Sequence, residues 1–151
     1  MIEHTVDDFV SPATGGKTFR LRDCAGRIVV LYFYPKDSTP GCTTEAMQFR
    51  DLHPEFVKAA CVVVGVSRDS LRAHENFKAK HELPFDLLSD TEEKLCARFS
   101  VIKDKKLYGK PVRGIERSTF VIDKNGVLRR EWRGVKAQGH AQEVLDFIRT
   151  M

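Results

Sequence analysis

The sequence has no CxxC pair, no apolar run of membrane length and no concentrated basic stripe. Each absence removes a class of function. Without CxxC spacing, the two-cysteine chemistry of a thioredoxin-like disulfide reductase has no residues to run on. The longest apolar runs, 28–34 and 60–66, fall far short of the roughly 20 residues a membrane helix needs. Lys and Arg exceed Asp and Glu by 25 − 21 = 4, and the excess is spread along the chain. A solvated surface accounts for that better than a nucleic-acid footprint, which would cluster. The opening MIEHTVDDF is acidic and lacks the basic and apolar regions of a secretory signal, so a reducing cytoplasm is the expected compartment. Four cysteines, Cys24, Cys42, Cys61 and Cys96, are at least 18 residues apart, and no histidine stands at metal spacing beside one. A disulfide framework and a metal site are therefore not expected.

What is present alternates strand and helix, the pattern of an α/β domain with a central mixed sheet, one domain over 1–151. KTFRLR (17–22) alternates as a half-buried strand does. IVVLYFY (28–34) and CVVVGVS (61–67) read as strands buried on both faces. From Pro40 to about Lys58 a helix is expected, with Ala46, Phe49, Leu52 and Phe56 on one stripe, and His53-Pro54 placed to kink or break it. A helix over 70–81 would turn Leu71, His74 and Phe77 to one side. A short strand follows at 85–88, then a helix over 92–99 with Leu95, Cys96 and Phe99 inward. KDKKLYGKPVRG (103–114) reads as a surface loop. Strands at 118–122 and 127–132 flank the turn Asp123-Lys124-Asn125-Gly126, a hairpin signal. A last helix over 139–149 carries Ala141, Val144, Leu145 and Ile148 on one face.

The chemically loaded place is Cys42, after a buried strand and a sharp turn, in the first turn of a helix. Unpaired N–H groups at a helix start favour negative charge, and the thiolate is the nucleophilic form of cysteine. Pro40 suits the helix entrance and Gly41 permits close approach to the backbone. From position alone Cys42 is either a small buried filler or a reactive thiol.

The segment YFYPKDSTPGCTTEA resembles the active-site segment of the peroxiredoxins, in the style of the peroxiredoxin Q or bacterioferritin comigratory protein subfamily. Pro35, Thr39 and Cys42 satisfy the motif of proline, three residues, threonine or serine, two residues, cysteine. GIERSTFVIDKNG resembles the family's arginine-bearing strand, with Arg117 in the arginine position, and the likeness covers nearly the whole chain. It implies a thioredoxin-like fold and a thiol-dependent peroxidase acting on hydrogen peroxide and organic hydroperoxides, without metal, haem or flavin. Cys42 would be the peroxidatic cysteine. Thr39 and the Gly41 and Cys42 N–H groups would donate hydrogen bonds to the reacting oxygens, Arg117 would hold thiolate and peroxide together, and Pro35 would shield the site. Glu45 either orients Arg117 or a proton donor, or is a solvated helix residue.

Both positions where the subfamily carries a resolving cysteine are filled otherwise, by Met47 and Lys78. Cys61 and Cys96 read as core. Cys24 lies in an expected exposed turn, so Cys96 and Cys24 are the weak candidates for resolution. The expected cycle uses Cys42 alone, with an external thiol such as thioredoxin, glutaredoxin or glutathione as reductant. The resemblance also implies a monomer.

Overall fold

The computed structural model describes residues 3–151, apart from the side chains of Lys105 and Leu107; the first two residues of the domain read over 1–151 lie outside it. Among the described residues nine strands form: β1 (Val10–Ala13), β2 (Lys17–Arg20), β3 (Ile28–Phe33), β4 (Cys61–Ser67), β5 (Asp86–Ser89), β6 (Ile102–Leu107), β7 (Lys110–Ile115), β8 (Ser118–Ile122) and β9 (Leu128–Arg133). The helices are α1 (Pro40–Lys58), α2 (Leu71–His81), α3 (Lys94–Arg98) and α4 (His140–Ile148), with a 3-10 turn at Leu21–Cys24. Seven strands make one sheet in the order β2-β1-β5-β4-β3-β8-β9. β3, β4 and β5 run parallel, while β8, β9, β1 and β2 add antiparallel edges. This is the mixed sheet the strand–helix alternation predicts.

The central strand divides the interior by simple alternation. Val29, Leu31 and Phe33 face one cluster with Leu95, Cys96 and Phe99 of the α3 region. Val30 and Tyr32, with Tyr34 beyond the strand end, face the other, with Ala46, Phe49 and Phe56 of α1, Phe77 of α2 and the Ala141–Ile148 stripe of α4. β3 and β4 pair in register from Ile28↔Cys61 to Phe33↔Val66. That register places Gly65 beside Tyr32. A Cβ at Gly65 would lie 2.8 Å from Tyr32 Cζ and 2.9 Å from Leu87 Cδ2, so glycine alone leaves room for the buried ring.

Three features depart from expectation, and two prolines stand inside elements without ending them. The 103–114 segment is an antiparallel hairpin, β6 with β7, rather than a loop. Most of β7 is exposed, so no apolar alternation announced it; its turn signal was Tyr108-Gly109, both at positive φ. β1 contains Pro12, which argues against a strand, yet β1 meets β5 only at Ala13 and so loses little ladder there. Pro54 does not end α1, which runs on to Lys58 with Phe56 buried beyond it. Leu71, expected inward, is 39% exposed. Cys24 is buried, in the 3-10 turn, not exposed.

Candidate active site

β3 delivers the chain to the site and α1 leaves from it. After Phe33, the Tyr34 N–H still bonds to the Val66 carbonyl at 3.0 Å, and then the turn 35–39 reverses direction. Pro40 opens α1, and Thr39 caps it by backbone geometry alone: its side chain accepts from none of the first helical N–H groups. Cys42 therefore sits in a helix first turn whose donors lack a side-chain partner, with its thiol only 1% exposed. Arg117, two residues past the end of β7, reaches over it. Its Nη2 donates to Cys42 Sγ at 3.4 Å and its Nη1 to Glu45 Oε1 at 2.7 Å. A Cβ at Gly41 would stand 3.1 Å from the same Nη2, so glycine lets the guanidinium settle against the helix entrance.

Glu45 is fully buried, which removes the solvated alternative. Its place one turn after Cys42 puts both side chains under the same guanidinium. Burial pushes the Glu45 carboxyl up to about 7, against the opposing pull of Arg117. Its second oxygen, Oε2, has no hydrogen-bond partner among the described residues, and neither has the buried Tyr32 hydroxyl. Tyr32 is pushed well up by burial, and next by the nearby Glu45 charge.

Other expected site residues fall in varied places. Thr39 lies beside the site, but its hydroxyl donates to the Lys36 carbonyl at 2.8 Å. In this arrangement its proton points to that carbonyl, which leaves the hydroxyl oxygen able to accept. Pro35 is itself exposed, so any cover it gives the sulfur comes from outside. Met47 is half-buried on α1. Lys78 pairs with Asp86 at 2.8 Å. Cys61 sits opposite Ile28, at the far end of β3 from Cys42, and burial pushes its thiol up to about 12. Cys24 and Cys96 belong to the cluster on the opposite face of the sheet from Cys42, and burial raises both thiols.

Sequence reasoning missed the network under the turn. His74 Nδ1 lies 2.6 Å from Asp37 Oδ2 and its Nε2 2.9 Å from the Leu88 carbonyl. The Tyr34 hydroxyl donates to Asp37 Oδ1 at 2.6 Å. The Asp37 N–H donates to Asp69 Oδ2 at 2.9 Å. Asp37, Asp69 and His74 bring three potential metal-ligand atoms within 4.8 Å, but hydrogen bonds already engage both His74 nitrogens. The available signal was His74 itself, a polar residue on the apolar stripe of α2.

A sheet that presents a buried cysteine at a helix entrance, under an arginine, is the frame of a thiol-based redox enzyme. The model of the AhpC/TSA family matches residues 2–131. Peroxiredoxin Bcp of Bacillus subtilis is 54% identical over 90% of this chain and 87% of its own length. Among solved structures, the bacterioferritin comigratory protein of Xanthomonas campestris, studied for alkyl peroxide reduction, has a TM-score of 0.90 at 50% identity, covering 94% of this chain and 90% of its own. A cysteine variant of PrxQ from Xylella fastidiosa reaches a TM-score of 0.95 at 42% identity, covering 99% and 96%. The chain belongs to the AhpC/TSA family and is a peroxiredoxin, a thiol-dependent peroxidase with the thioredoxin-like fold. No helix among the described residues is long and apolar enough to cross a membrane.

Proposed function

We propose that Cys42 is the peroxidatic residue of one domain over 1–151, acting on hydrogen peroxide and small organic hydroperoxides. The observation that carries this is the 3.4 Å contact of Arg117 Nη2 with the Cys42 sulfur in the first turn of α1. The thiolate attacks one peroxide oxygen, the O–O bond breaks, and water or an alcohol leaves with a proton, giving a sulfenic acid. Charge moves from sulfur to the leaving oxygen. The Gly41 and Cys42 N–H groups and Arg117 stabilise it, while Thr39 Oγ1 accepts a hydrogen bond from the peroxide O–H. Glu45 holds Nη1 so that Nη2 stays on the sulfur. The reading for organic hydroperoxides is supported by the Xanthomonas relative.

Recycling takes the one-cysteine route. The sulfenic acid condenses with an external thiol, releasing water and leaving a mixed disulfide. A second thiol then frees Cys42 and carries off the disulfide. Cys61 at the far end of β3, and Cys24 and Cys96 on the opposite face, support this reading, since a disulfide needs Cα atoms about 4.4–6.8 Å apart. The reductant is thioredoxin, glutaredoxin or glutathione, the working form a monomer and the setting a reducing cytoplasm. Stopped-flow peroxide consumption tests the core of the proposal. Cys42→Ser is nearly isosteric but replaces the nucleophile with a poor one at neutral pH. It is expected to abolish turnover with an unchanged circular dichroism spectrum; retained turnover would remove Cys42 from the reaction.

A further inference from the structure

The cycle makes two opposed demands on the Cys42 sulfur. Peroxide must meet it in the aligned, 1% exposed setting beside Arg117. A thiol must then approach the oxidised sulfur along the axis of its S–O bond, which that burial forbids. The turn 35–39 and the first turn of α1 must therefore alternate between a docked and an open position. A buried polar clamp holds the docked position.

His74 is fully buried and Asp37 is 6% exposed. The Leu88 carbonyl can only accept, so His74 Nε2 carries a proton toward β5. The proton between Nδ1 and Asp37 Oδ2, at 2.6 Å, joins α2 to the turn. Tyr34 Oη occupies the other Asp37 oxygen at 2.6 Å, and Asp69 takes the Asp37 N–H at 2.9 Å. Asp69 is in turn held by the Ser67 hydroxyl at the end of β4. Thus Asp37, two residues before Thr39 and five before Cys42, is tied to β3, α2 and the β4–α2 connection at once. A buried network of this kind is stable when every member is satisfied and unfavourable when one is lost, because a buried carboxylate oxygen is then left unpaired.

We infer that His74 is a positioning residue for the peroxidase cycle: through Asp37 it sets the balance between the docked turn that reacts with peroxide and the open turn that admits the thiol. It touches neither sulfur nor substrate in this arrangement. Weakening the clamp should slow the first half-reaction and speed the second. A purely structural role would not move the two in opposite directions. The inference rests on Cys42 being the peroxidatic residue.

The test measures the two half-reactions separately in the full-length protein, with hydrogen peroxide and glutathione as probes. Sulfenic acid formation at Cys42 is followed by stopped flow with trapping and mass spectrometry. Glutathione attack is followed on protein oxidised beforehand. His74→Phe keeps the ring volume and removes both hydrogen bonds. It is expected to slow oxidation about tenfold or more, through lost alignment, and to speed glutathione attack at least about threefold, through a larger open population. Asp37→Asn keeps the shape of the turn while weakening the bond to His74. It should shift both rates in the same directions and serves if His74→Phe does not fold. Ile148→Ala, a core truncation in α4, controls for general loosening and should leave both rates within about twofold. Unchanged rates in the clamp variants, slowing of both half-reactions, or the same opposed shifts in Ile148→Ala would each overturn the inference. If wild-type protein formed no sulfenic acid at Cys42, the failure would lie with the peroxidatic assignment instead.

Discussion

Glu45 and Arg117 form an ion pair at 2.7 Å in which the carboxylate is wholly buried and the guanidinium, 15% exposed, also reaches the Cys42 sulfur. One cation thus serves two acceptors on successive turns of α1. The planar fork makes this geometry available, with Nη1 and Nη2 aimed at different partners from a single rigid group. The chemistry of the sulfur therefore depends on a residue 75 positions away along the chain, brought in where the chain enters β8.

Arg117→Lys is expected to behave as a loss. Lysine keeps the charge but cannot donate to Glu45 and Cys42 from a fixed plane. The second-order rate with peroxide should fall by about one to three decades, roughly 1.4–4 kcal/mol of transition-state stabilisation. Gly41→Ala should lower it less, since the new Cβ meets only the tip of the arginine at 3.1 Å. Rates measured by competition against a reference peroxidase check both, and a lysine variant at the wild-type rate would take Arg117 out of the reaction.

Glu45 carries a pH signature. Its folded pKa, about 7, stands above the ordinary carboxylate value because burial penalises the charge. A raised pKa means the folded state binds the proton more tightly than the unfolded chain. That contribution is fully present below the unfolded value of 4.5 and is lost as pH rises through about 7. Glu45→Gln removes it. Urea melts from pH 4 to 8 should show wild type losing stability relative to Glu45→Gln between the unfolded value of 4.5 and about 7, with little further change above that. A constant difference across that range would contradict the buried, proton-binding carboxyl.

Gly65→Ala is expected to destabilise the fold by about 1–3 kcal/mol, the usual range for overpacking a dense core. The added methyl would stand under 3 Å from both the Tyr32 ring and Leu87, each wholly buried. Thermal melts measure it. A neutral substitution would mean that the Tyr32 ring can move off β4.

Oxidation with one equivalent of peroxide, followed by disulfide mapping, tests the one-cysteine route. Cys24→Ser, Cys61→Ser and Cys96→Ser should each keep turnover with an external thiol, and Cys42 should be found free, as sulfenic acid or capped by the added thiol. A dominant Cys42–Cys96 or Cys42–Cys24 bridge, with turnover lost in the matching variant, would replace that route by an intramolecular one.

Local chemistry wrote much of this protein into its sequence. The runs 28–34 and 61–67 had to be central strands, because only a two-sided burial suits such continuous apolar segments. Proline and glycine at 40 and 41 had to open a helix, and that alone marked Cys42 as different from the other three cysteines. The α4 stripe was legible for the same reason of periodicity. Tertiary structure decided what depends on partners distant in sequence. Whether Glu45 was solvated or buried turned on the arrival of Arg117, which no spacing within α1 reports. Where the Thr39 hydroxyl points turned on the Lys36 carbonyl in a turn with no regular pattern. The β6–β7 hairpin stayed hidden because a ladder exposed to water needs no apolar alternation. Asp37 and His74, 37 positions apart, became a pair only when α2 packed beside the turn, because a buried polar contact is specified by the fold that excludes water from it.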